Sequence, residues 1–418
     1  MKSNYLKLLK NTTLMYILTF SSYFFSFVSV PYQSRVLGPE NFGRVSFALA
    51  FMSYFVIIID YGFIISTIEE VVQFRNDKLK LSELFTAVTI IKTILFLISL
   101  IILVIILLNF KRLRIDIGLY IITFFSVTIV SFIPEYIYRG IEEIGAITKR
   151  TVLIRILFLV LLLMFLKRSD QYILVPLFNL IANISALIFS YYDLLKRDIR
   201  FRKVQLSRVK SIFQKSSEYF LSRIASTVYS VSNLFIIGLI YPSGSKFVGY
   251  YSSVERLISM SRSLFAPISD SLFPYMVKNR DYKLVRLLLI SLLPFIFTGL
   301  VFVFLKAEWI IALIYGSDYV GSSNILRILI PIVAMTPFIY LFGFPILAPL
   351  GLSKHANKSV IFASLLHILS LTVLFITGRL NIVSLSFLSV VSEFVILIYR
   401  SLIIWINRNK LRKEYIHD

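Results

Sequence analysis

The chain has 418 residues, of which 58% are hydrophobic and only 16% are charged, whereas an average soluble domain has about 25% charged residues. A mean hydropathy of +0.83 excludes a water-soluble globular protein, because no soluble core encloses so much apolar surface. The absence of cysteine excludes disulfides, thiolate metal sites and thiol nucleophiles, and three histidines leave little for a metal centre. We therefore predict no metal and no cofactor.

The apolar residues form long windows. A transmembrane helix needs about 20 mostly apolar residues to cross about 30 Å of hydrocarbon, and about twelve windows meet this requirement. We predict an all-α integral membrane protein of about twelve transmembrane helices. The first window lacks a small-residue cleavage site, which predicts that it stays on the protein. The windows lie near residues 12–31, 44–65, 84–109, 117–138, 151–166, 172–190, 219–240, 253–276, 285–305, 325–350, 358–377 and 381–406.

The formal net charge is +22, and the basic residues lie in short clusters between the apolar windows. Such clusters indicate membrane topology rather than nucleic-acid binding, which needs a continuous basic surface. One set of alternate loops holds about 26 lysines and arginines and the other set about ten, so both termini are predicted to be cytoplasmic. The fourth loop of the chain, which belongs to the basic set, contains Lys149 and Arg150.

A long polar stretch divides the chain near its middle. We predict an N-terminal lobe over 1–195 with six spans, a basic cytoplasmic linker over 196–218, and a C-terminal lobe over 219–418 with six spans. Two halves of equal size are typical of transporters with an internal repeat.

Charged residues within the apolar windows are the main functional clues. Each costs roughly 2.5 to 3.5 kcal/mol at mid-bilayer, so such residues usually face a cavity or a partner inside the bundle. They are Asp60, Lys92, Glu135, Arg155, Arg223, Glu255, Arg256, Arg262, Asp270, Arg327 and Glu393, with His367 as a further polar residue.

Helical spacing places several polar residues on common faces. In the eighth window, Glu255, Ser259, Arg262, Ala266 and Asp270 follow one another at steps of three or four, which predicts one polar face. The seventh window repeats the pattern, and Asp60 ends a similar row in the second. We predict that the first, second, seventh and eighth spans line a shared hydrophilic space. The polar residues of the seventh window are Arg223, Thr227, Ser230 and Asn233.

A structural interpretation competes for some of these residues. Glu255, Arg256 and Arg155 lie close to predicted membrane ends, and Lys92 could extend its long side chain to an interface. His367 is interpreted as a packed, hydrogen-bonded residue rather than a proton switch.

Three segments resemble a known family. Residues 31–43 (PYQSRVLGPENFG), followed by a span that ends with residues 60–63 (DYGF), resemble the start of the Wzx-type polysaccharide flippases. These O-antigen and capsule repeat-unit flippases belong to the superfamily that includes the multidrug and toxin exporters. Residues 134–142 and 248–255 resemble two further motifs of the family.

The resemblance implies two six-helix lobes around a central cationic cavity in the bacterial cytoplasmic membrane. It also implies a substrate of undecaprenyl diphosphate carrying a short oligosaccharide. Arginine suits this substrate because its paired donors replace the hydration lost by a diphosphate. The implied partners are this lipid-linked oligosaccharide, membrane lipid, and a polysaccharide polymerase and chain-length regulator. The implied substrate-binding residues are Arg223, Arg262, Arg35, Thr227 and Asn233, and the implied ion-coupling residues are Asp60, Glu135 and Asp270.

Two alternatives remain open at this point. A drug or metabolite exporter of the same superfamily would favour a more acidic or aromatic pocket than these arginine-bearing faces. A membrane-embedded polysaccharide polymerase also handles lipid-linked sugars, but such enzymes usually carry a long outward loop, and every predicted outward loop here is short. The sequence also lacks a P-loop, a G-x-S-x-G motif and an H-E-x-x-H motif, so a transporter is favoured over an enzyme.

Overall fold

The computed structural model describes the backbone of residues 2–408. The side chains of residues 2–12, 14–19, 22, 218, 221–223 and 225–230 lie outside this description. Two predicted binding residues, Arg223 and Thr227, therefore lie outside the described side chains. The described backbone is helical over most of its length and contains no strand. The predicted all-α class is confirmed.

The chain divides into two compact units, Met1–Thr227 (unit 1) and Val228–Asp418 (unit 2). Unit 1 also contains 3₁₀ turns at Ile129–Phe132 and Ser169–Gln171. The last helix of the following list, α10, continues past residue 227 into unit 2. The helices are α1 (Lys2–Asp60), α2 (Phe63–Ser66), α3 (Ile68–Gln73), α4 (Lys78–Asn109), α5 (Lys111–Arg114), α6 (Ile117–Thr128), α7 (Glu135–Gly140), α8 (Ile144–Phe165), α9 (Leu174–Lys196) and α10 (Leu206–Ile240).

Unit 2 contains nine further helices among the described residues and one 3₁₀ segment, Ser317–Ser322. They are α11 (Lys246–Ser263), α12 (Ala266–Asn279), α13 (Tyr282–Leu305), α14 (Ala307–Tyr315), α15 (Ser323–Leu329), α16 (Pro331–Leu341), α17 (Phe344–Leu347), α18 (Ser353–Ile376) and α19 (Ile382–Ile406).

Seven helical segments of the described chain are long and apolar enough to cross a membrane, and a bent pair over 317–347 makes up to eight. All twelve predicted windows lie mainly on helices, but several contain breaks or charges. The fifth window, for example, lies on α8, which carries Lys149, Arg150 and Arg155. The chain is a multi-pass membrane protein, as the composition predicts.

The helix ends follow local sequence signals. The Asp77 carboxylate accepts hydrogen bonds from the backbone N–H groups of Leu79 and Lys80 and begins α4. Asp281 caps α13 through the N–H of Leu284, at 2.9 Å. Such caps satisfy backbone donors that have no partner inside the helix, which stabilises the ends of the spans.

The first two predicted spans lie on α1, which consists of two helices that meet at a kink. Inside α1, Gly38 has φ 67° and ψ 170°, a conformation that glycine adopts without a Cβ clash. Pro39 follows directly and restricts the residue before it to non-helical angles. The two helices therefore meet at Gly38.

The eighth predicted window is broken. The helix α11 ends at Ser263 and α12 begins at Ala266, because Pro267 has no N–H to donate to the carbonyl of Ser263. The prediction of one continuous polar face over 253–276 is therefore wrong. Glu255 and Arg262 lie on α11, whereas Asp270 lies on α12.

The basic segment after α9 is extended and lies along α4 within unit 1. The backbone N–H of Arg200 donates to the Ser82 hydroxyl at 3.1 Å, and that of Arg202 donates to the Thr86 hydroxyl at 3.0 Å. Hydroxyls spaced by four residues on one helix thus bind alternate residues of an extended segment. The limits of the predicted linker and lobes, and the predicted space shared by four spans, stay predictions.

Candidate functional site

A polar cavity of about 340 Å³ lies inside unit 1. Helices α1, α6, α7 and α9 and the 3₁₀ turn after α6 supply most of its wall. Two of the predicted ion-coupling residues face it. Its lining residues are Leu49, Val56, Asp60, Ile64, Ser126, Val127, Val130, Ser131, Ile133, Glu135, Asn179 and Asn183.

Asp60 forms a buried ion pair in this wall. Its carboxylate lies 3.7 Å from the ammonium of Lys92, which also donates to the backbone carbonyl of Ser131. Lys92 is buried and does not line the cavity, so its charge lies behind the carboxylate. The interpretation that Lys92 extends to a membrane interface is wrong, because the pair with Asp60 stabilises the ammonium inside the unit.

Glu135, at the start of α7, is held by two guanidinium groups. Arg150 lies 3.2 Å from one carboxylate oxygen and Arg139 lies 3.4 Å from the other. Arg150 also donates to the Ser190 hydroxyl at 3.0 Å and is buried. Arg150 lies in the first two turns of α8 rather than in a loop, and its cytoplasmic location stays a prediction.

Two amides of α9 complete the polar wall of unit 1. Asn183 donates to the carbonyl of Ser126 at 3.0 Å, and Asn179 donates to the carbonyl of Val175 at 3.3 Å. The sequence analysis did not select these residues. Their spacing of four within an apolar window places both on one helix face, and this signal identifies them in retrospect.

A second polar cavity, of about 150 Å³, lies inside unit 2. Two predicted substrate-binding residues, Arg262 and Asn233, both face it, although they come from different helices. Its lining residues are Asn233, Tyr251, Glu255, Ile258, Ser259, Arg262, Leu329, Ile332, His367, Ser389 and Glu393.

Arg262 forms a close ion pair in the unit 2 cavity. Its guanidinium nitrogen lies 2.6 Å from a carboxylate oxygen of Glu393 on α19. Both residues line the cavity, but the carboxylate is buried while the guanidinium is partly exposed. Within this ion pair the positive charge is therefore the more accessible one, and Glu255 brings a second carboxyl group to the same wall.

Hydroxyl and amide groups surround this pair. The Asn233 amide donates to the Ser389 hydroxyl at 2.7 Å and to the carbonyl of Leu385 at 3.3 Å. The Tyr251 hydroxyl lies 3.2 Å from the same Ser389 oxygen. Ser389 was not selected from the sequence, although Ser386, Ser389 and Ser392 recur at steps of three in α19, a spacing that places them along one side of the helix.

His367 is fully buried and hydrogen-bonded on both ring nitrogens. Its Nδ1 lies 2.8 Å from the Ser392 hydroxyl and its Nε2 lies 3.2 Å from the Ser232 hydroxyl. These contacts support the interpretation of a packed histidine, since each nitrogen has a partner that suits either tautomer.

The ion pairs of the two cavities have opposite polarity. In two pairs of unit 1 the carboxylate is the more exposed member, with side-chain exposures of 10% for Asp60 against 4% for Lys92, and 31% for Glu135 against 4% for Arg150. The pair between Glu135 and Arg139 is the exception, because the Arg139 side chain is 37% exposed. In unit 2 the cation is the more exposed member, at 30% for Arg262 against 2% for Glu393. The first arrangement suits a cation or a proton and the second an anion.

Other predicted residues lie elsewhere. Arg35 on α1 and Asp270 on α12 are exposed, and neither lines the two cavities described above. Arg327 pairs with Glu308 at 3.1 Å away from both cavities. Residues 409–418 lie outside the description.

The sequence matches the family model described as "Polysaccharide biosynthesis protein" over residues 8–280. It is also 25% identical over 387 residues to the "Putative O-antigen transporter" of Escherichia coli strain K12, covering 88% of this chain and 90% of that protein. A protein of the same name from Shigella dysenteriae is 23% identical over 371 residues, covering 86% of this chain and 91% of the relative.

Solved structures share the fold at low sequence identity. The lipid II flippase MurJ in an inward closed conformation has a TM-score of 0.67 and 14% identity, covering 94% of this chain and 87% of MurJ. An inward-facing multidrug resistance MATE transporter of the MOP superfamily has a TM-score of 0.64 and 16% identity, covering 95% and 96%. These likenesses show the fold alone. With the family match and the transporter relatives, they show that this chain belongs to the polysaccharide biosynthesis protein family, as its Wzx-type motifs predict, and is a transporter rather than an enzyme.

Proposed function

We propose that this protein translocates oligosaccharide repeat units linked to undecaprenyl diphosphate across the bacterial cytoplasmic membrane, for the synthesis of cell-surface polysaccharide. The names of its relatives, O-antigen transporters and the lipid II flippase MurJ, support a lipid-linked sugar as the substrate class. The observation that carries the proposal is the accessible guanidinium of Arg262 inside the polar cavity of unit 2.

A diphosphate loses its hydration shell when it enters the depth of a membrane, so it needs donors that replace water. A guanidinium offers two parallel N–H groups that fit phosphate oxygens. Asn233, Tyr251 and Ser389 add amide and hydroxyl groups in the same wall, which suit an oxygen-rich head group. The polyprenyl chain stays in the lipid, because its transfer through a polar cavity is unfavourable.

Ion coupling is assigned to unit 1 in this proposal. Asp60 faces the unit 1 cavity with the Lys92 ammonium behind it, so a proton or a metal cation competes with Lys92 for the carboxylate. Glu135 faces the same cavity but is bound by two guanidinium groups, which makes it the weaker carrier. Asp270 stays a prediction.

The proposed cycle is alternating access, with both termini in the cytoplasm. The bias of lysine and arginine towards alternate loops supports this topology. We further propose that a polysaccharide polymerase and a chain-length regulator use the delivered substrate. An exporter of organic cations is less well supported, because the accessible Arg262 guanidinium in the wall of the unit 2 cavity repels a cation.

The proposal is tested by complementation in a strain that lacks its own repeat-unit flippase. Arg262→Ala is expected to abolish surface polysaccharide, and Arg262→Lys to restore part of it, since an ammonium keeps the charge but not the paired geometry. Arg327→Ala is the matched control, because Arg327 pairs with an acid outside both cavities. Normal polysaccharide with Arg262→Ala, at equal protein levels in the membrane, would contradict the proposal.

A further inference from the structure

The segment that follows α9 forms an exposed basic surface on unit 1. We call residues 196–206 the basic strap, and they contain five basic residues and one acidic residue. The backbone N–H groups of Arg200 and Arg202 donate to hydroxyls of α4, which holds the basic strap in an extended conformation. The side chains of Arg200, Arg202 and Lys203 are exposed. The basic strap therefore presents its charges from a fixed backbone.

Ion pairs leave the middle of the basic strap positive. The Asp198 carboxylate lies 3.0 Å from the Lys78 ammonium and 3.3 Å from the Arg200 guanidinium, so these three groups together keep one positive charge. Arg202 and Lys203 add two further charges, and neither has an acidic partner among the side chains that the structure describes.

Nearby acids limit where this charge is concentrated. Arg197 lies between Asp193, at 2.9 Å, and Glu143, at 3.5 Å, so the first part of the basic strap has no excess of positive charge. Glu83 is exposed on the neighbouring part of α4 and offsets one charge. The accessible positive charge is therefore concentrated at residues 200–203.

The exposed apolar side chains of α4 indicate the depth of the basic strap in a membrane. A closely spaced series runs from Ile90 to Leu108, and eighteen residues of helix rise about 27 Å, close to a hydrocarbon thickness of about 30 Å. Thr86 lies four residues, or about 6 Å, before this series, and a head-group layer is about 5–8 Å thick on each side. Arg202, whose N–H binds Thr86, therefore lies at head-group depth.

Aromatic side chains support the same depth. Phe201 packs against Phe85, with ring centroids 4.8 Å apart, and is still 55% exposed. Tyr192, near the end of α9, is 56% exposed, and the Lys196 ammonium lies 4.5 Å from its ring centroid. Tyrosine is enriched where a membrane meets water, because its ring is apolar and its hydroxyl is polar. Basic and aromatic groups are thus exposed together at this level.

We propose that the basic strap binds the head groups of anionic phospholipids. Exposed guanidinium and ammonium groups attract a negatively charged phosphate, and their N–H groups donate to its oxygens. A phospholipid is favoured over a free anion, because its acyl chains also cover the exposed ring of Phe201 and the adjacent apolar side chains of α4. This inference does not depend on the transport substrate proposed above.

The test measures which lipids lie next to the basic strap in a bilayer. The chain contains no cysteine, so Gln205→Cys gives a single site for a fluorescent label on an exposed residue. The labelled full-length protein is reconstituted in phosphatidylcholine bilayers that contain an equal small fraction of nitroxide-bearing phosphatidylglycerol or nitroxide-bearing phosphatidylcholine. Quenching of the label reports the local preference for the anionic lipid, which is expected to be at least about fivefold.

Charge-removing variants identify the side chains responsible. Arg202→Gln/Lys203→Gln is expected to lower the preference by at least about fivefold, since each basic residue near an anionic surface contributes about that factor. Arg202→Lys keeps the charge and is expected to keep the preference. Lys111→Gln/Arg114→Gln is the matched control, because it removes two exposed charges just beyond the opposite end of α4. Quenching at position 205 is expected to stay unchanged in this control, since salt screens charges so far apart.

An unchanged preference in Arg202→Gln/Lys203→Gln would overturn the proposal, as would equal quenching by the two lipids in the wild type. Loss of the preference in inorganic phosphate, but not in chloride at the same ionic strength, would assign the basic strap to a free anion instead. The wild type also provides a test without substitutions, because about 1 M salt shortens the screening length to about 3 Å and is expected to reduce the preference. A preference that persists in this salt would contradict binding through charge.

Discussion

The two cavities of this protein are built from the same kind of element and differ in which charge they present. In unit 1, Asp60 and Glu135 face the cavity, and the buried cations Lys92 and Arg150 lie behind them, whereas Arg139 is partly exposed. In unit 2, Arg262 is the accessible charge and its carboxylate is buried. Because the accessible member of an ion pair meets the ligand first, the polarity of each pair selects the sign of what binds.

The difference in polarity between the ion pairs shows how one fold can perform two separate tasks. A transporter of an anionic head group needs a cation that can exchange its partner, and a coupling site needs a carboxylate that can do the same. In the proposed function, both conditions are met by reversing the depth of the two charges within a pair. A count of the charges in each unit does not reveal which member of a pair is exposed, because each cavity has both acidic and basic residues at its wall.

The largest expected effect concerns the acids of the two pairs. Asp60→Asn leaves the deeply buried Lys92 without that carboxylate and is expected to lower the free energy of unfolding by about 3–5 kcal/mol. Glu393→Gln removes the carboxylate partner of Arg262, which is partly exposed and can be reached by water. This substitution is expected to lower the free energy of unfolding by at most about 1 kcal/mol. Chemical unfolding in detergent measures both.

The double variant Asp60→Asn/Lys92→Met serves as the control for this asymmetry. It removes both charges, so it is expected to recover most of the stability lost in the single variant. Equal losses for Asp60→Asn and Glu393→Gln would break the comparison between the two cavities.

A smaller effect is expected for the buried histidine of unit 2. His367→Asn removes at least one of two hydrogen bonds to serine, and the free energy of unfolding is expected to fall by about 1–2 kcal/mol. The pH dependence of transport should stay unchanged, because we interpret His367 as a packed, hydrogen-bonded residue that does not have the role of a proton switch. A transport profile that loses its pH dependence in His367→Asn would move that role to the histidine.

The fold was largely predictable from the sequence, because apolar windows of about 20 residues report directly on membrane spans. The positions at which the helices break were not predictable in this way. Pro267 splits the eighth window, while the helices of the first two spans meet at a kink formed by Gly38 and Pro39. Periodicity alone does not tell a proline that bends a helix from one that ends it.

The candidate site was predictable only in part. Arg262 and Asn233 were selected because polar residues recur at helical spacing, and the structure places both in one cavity. Their contacts with Glu393 and Ser389 join residues more than 130 positions apart, which no local pattern reveals. Lys92 was misinterpreted for the same reason, since its partners Asp60 and Ser131 lie on other elements.

The polarity of the two cavities is tested most directly by equilibrium binding of undecaprenyl diphosphate to the purified protein. Arg262→Ala is expected to weaken binding by at least about tenfold, since a lost hydrogen bond to a charged group is worth about 1.5–3 kcal/mol. Asp60→Asn is expected to change binding by less than about twofold, because that carboxylate lies in the other cavity. Binding to Arg262→Ala that equals the wild type, or a large loss in Asp60→Asn alone, would contradict the assignment of the anion to unit 2.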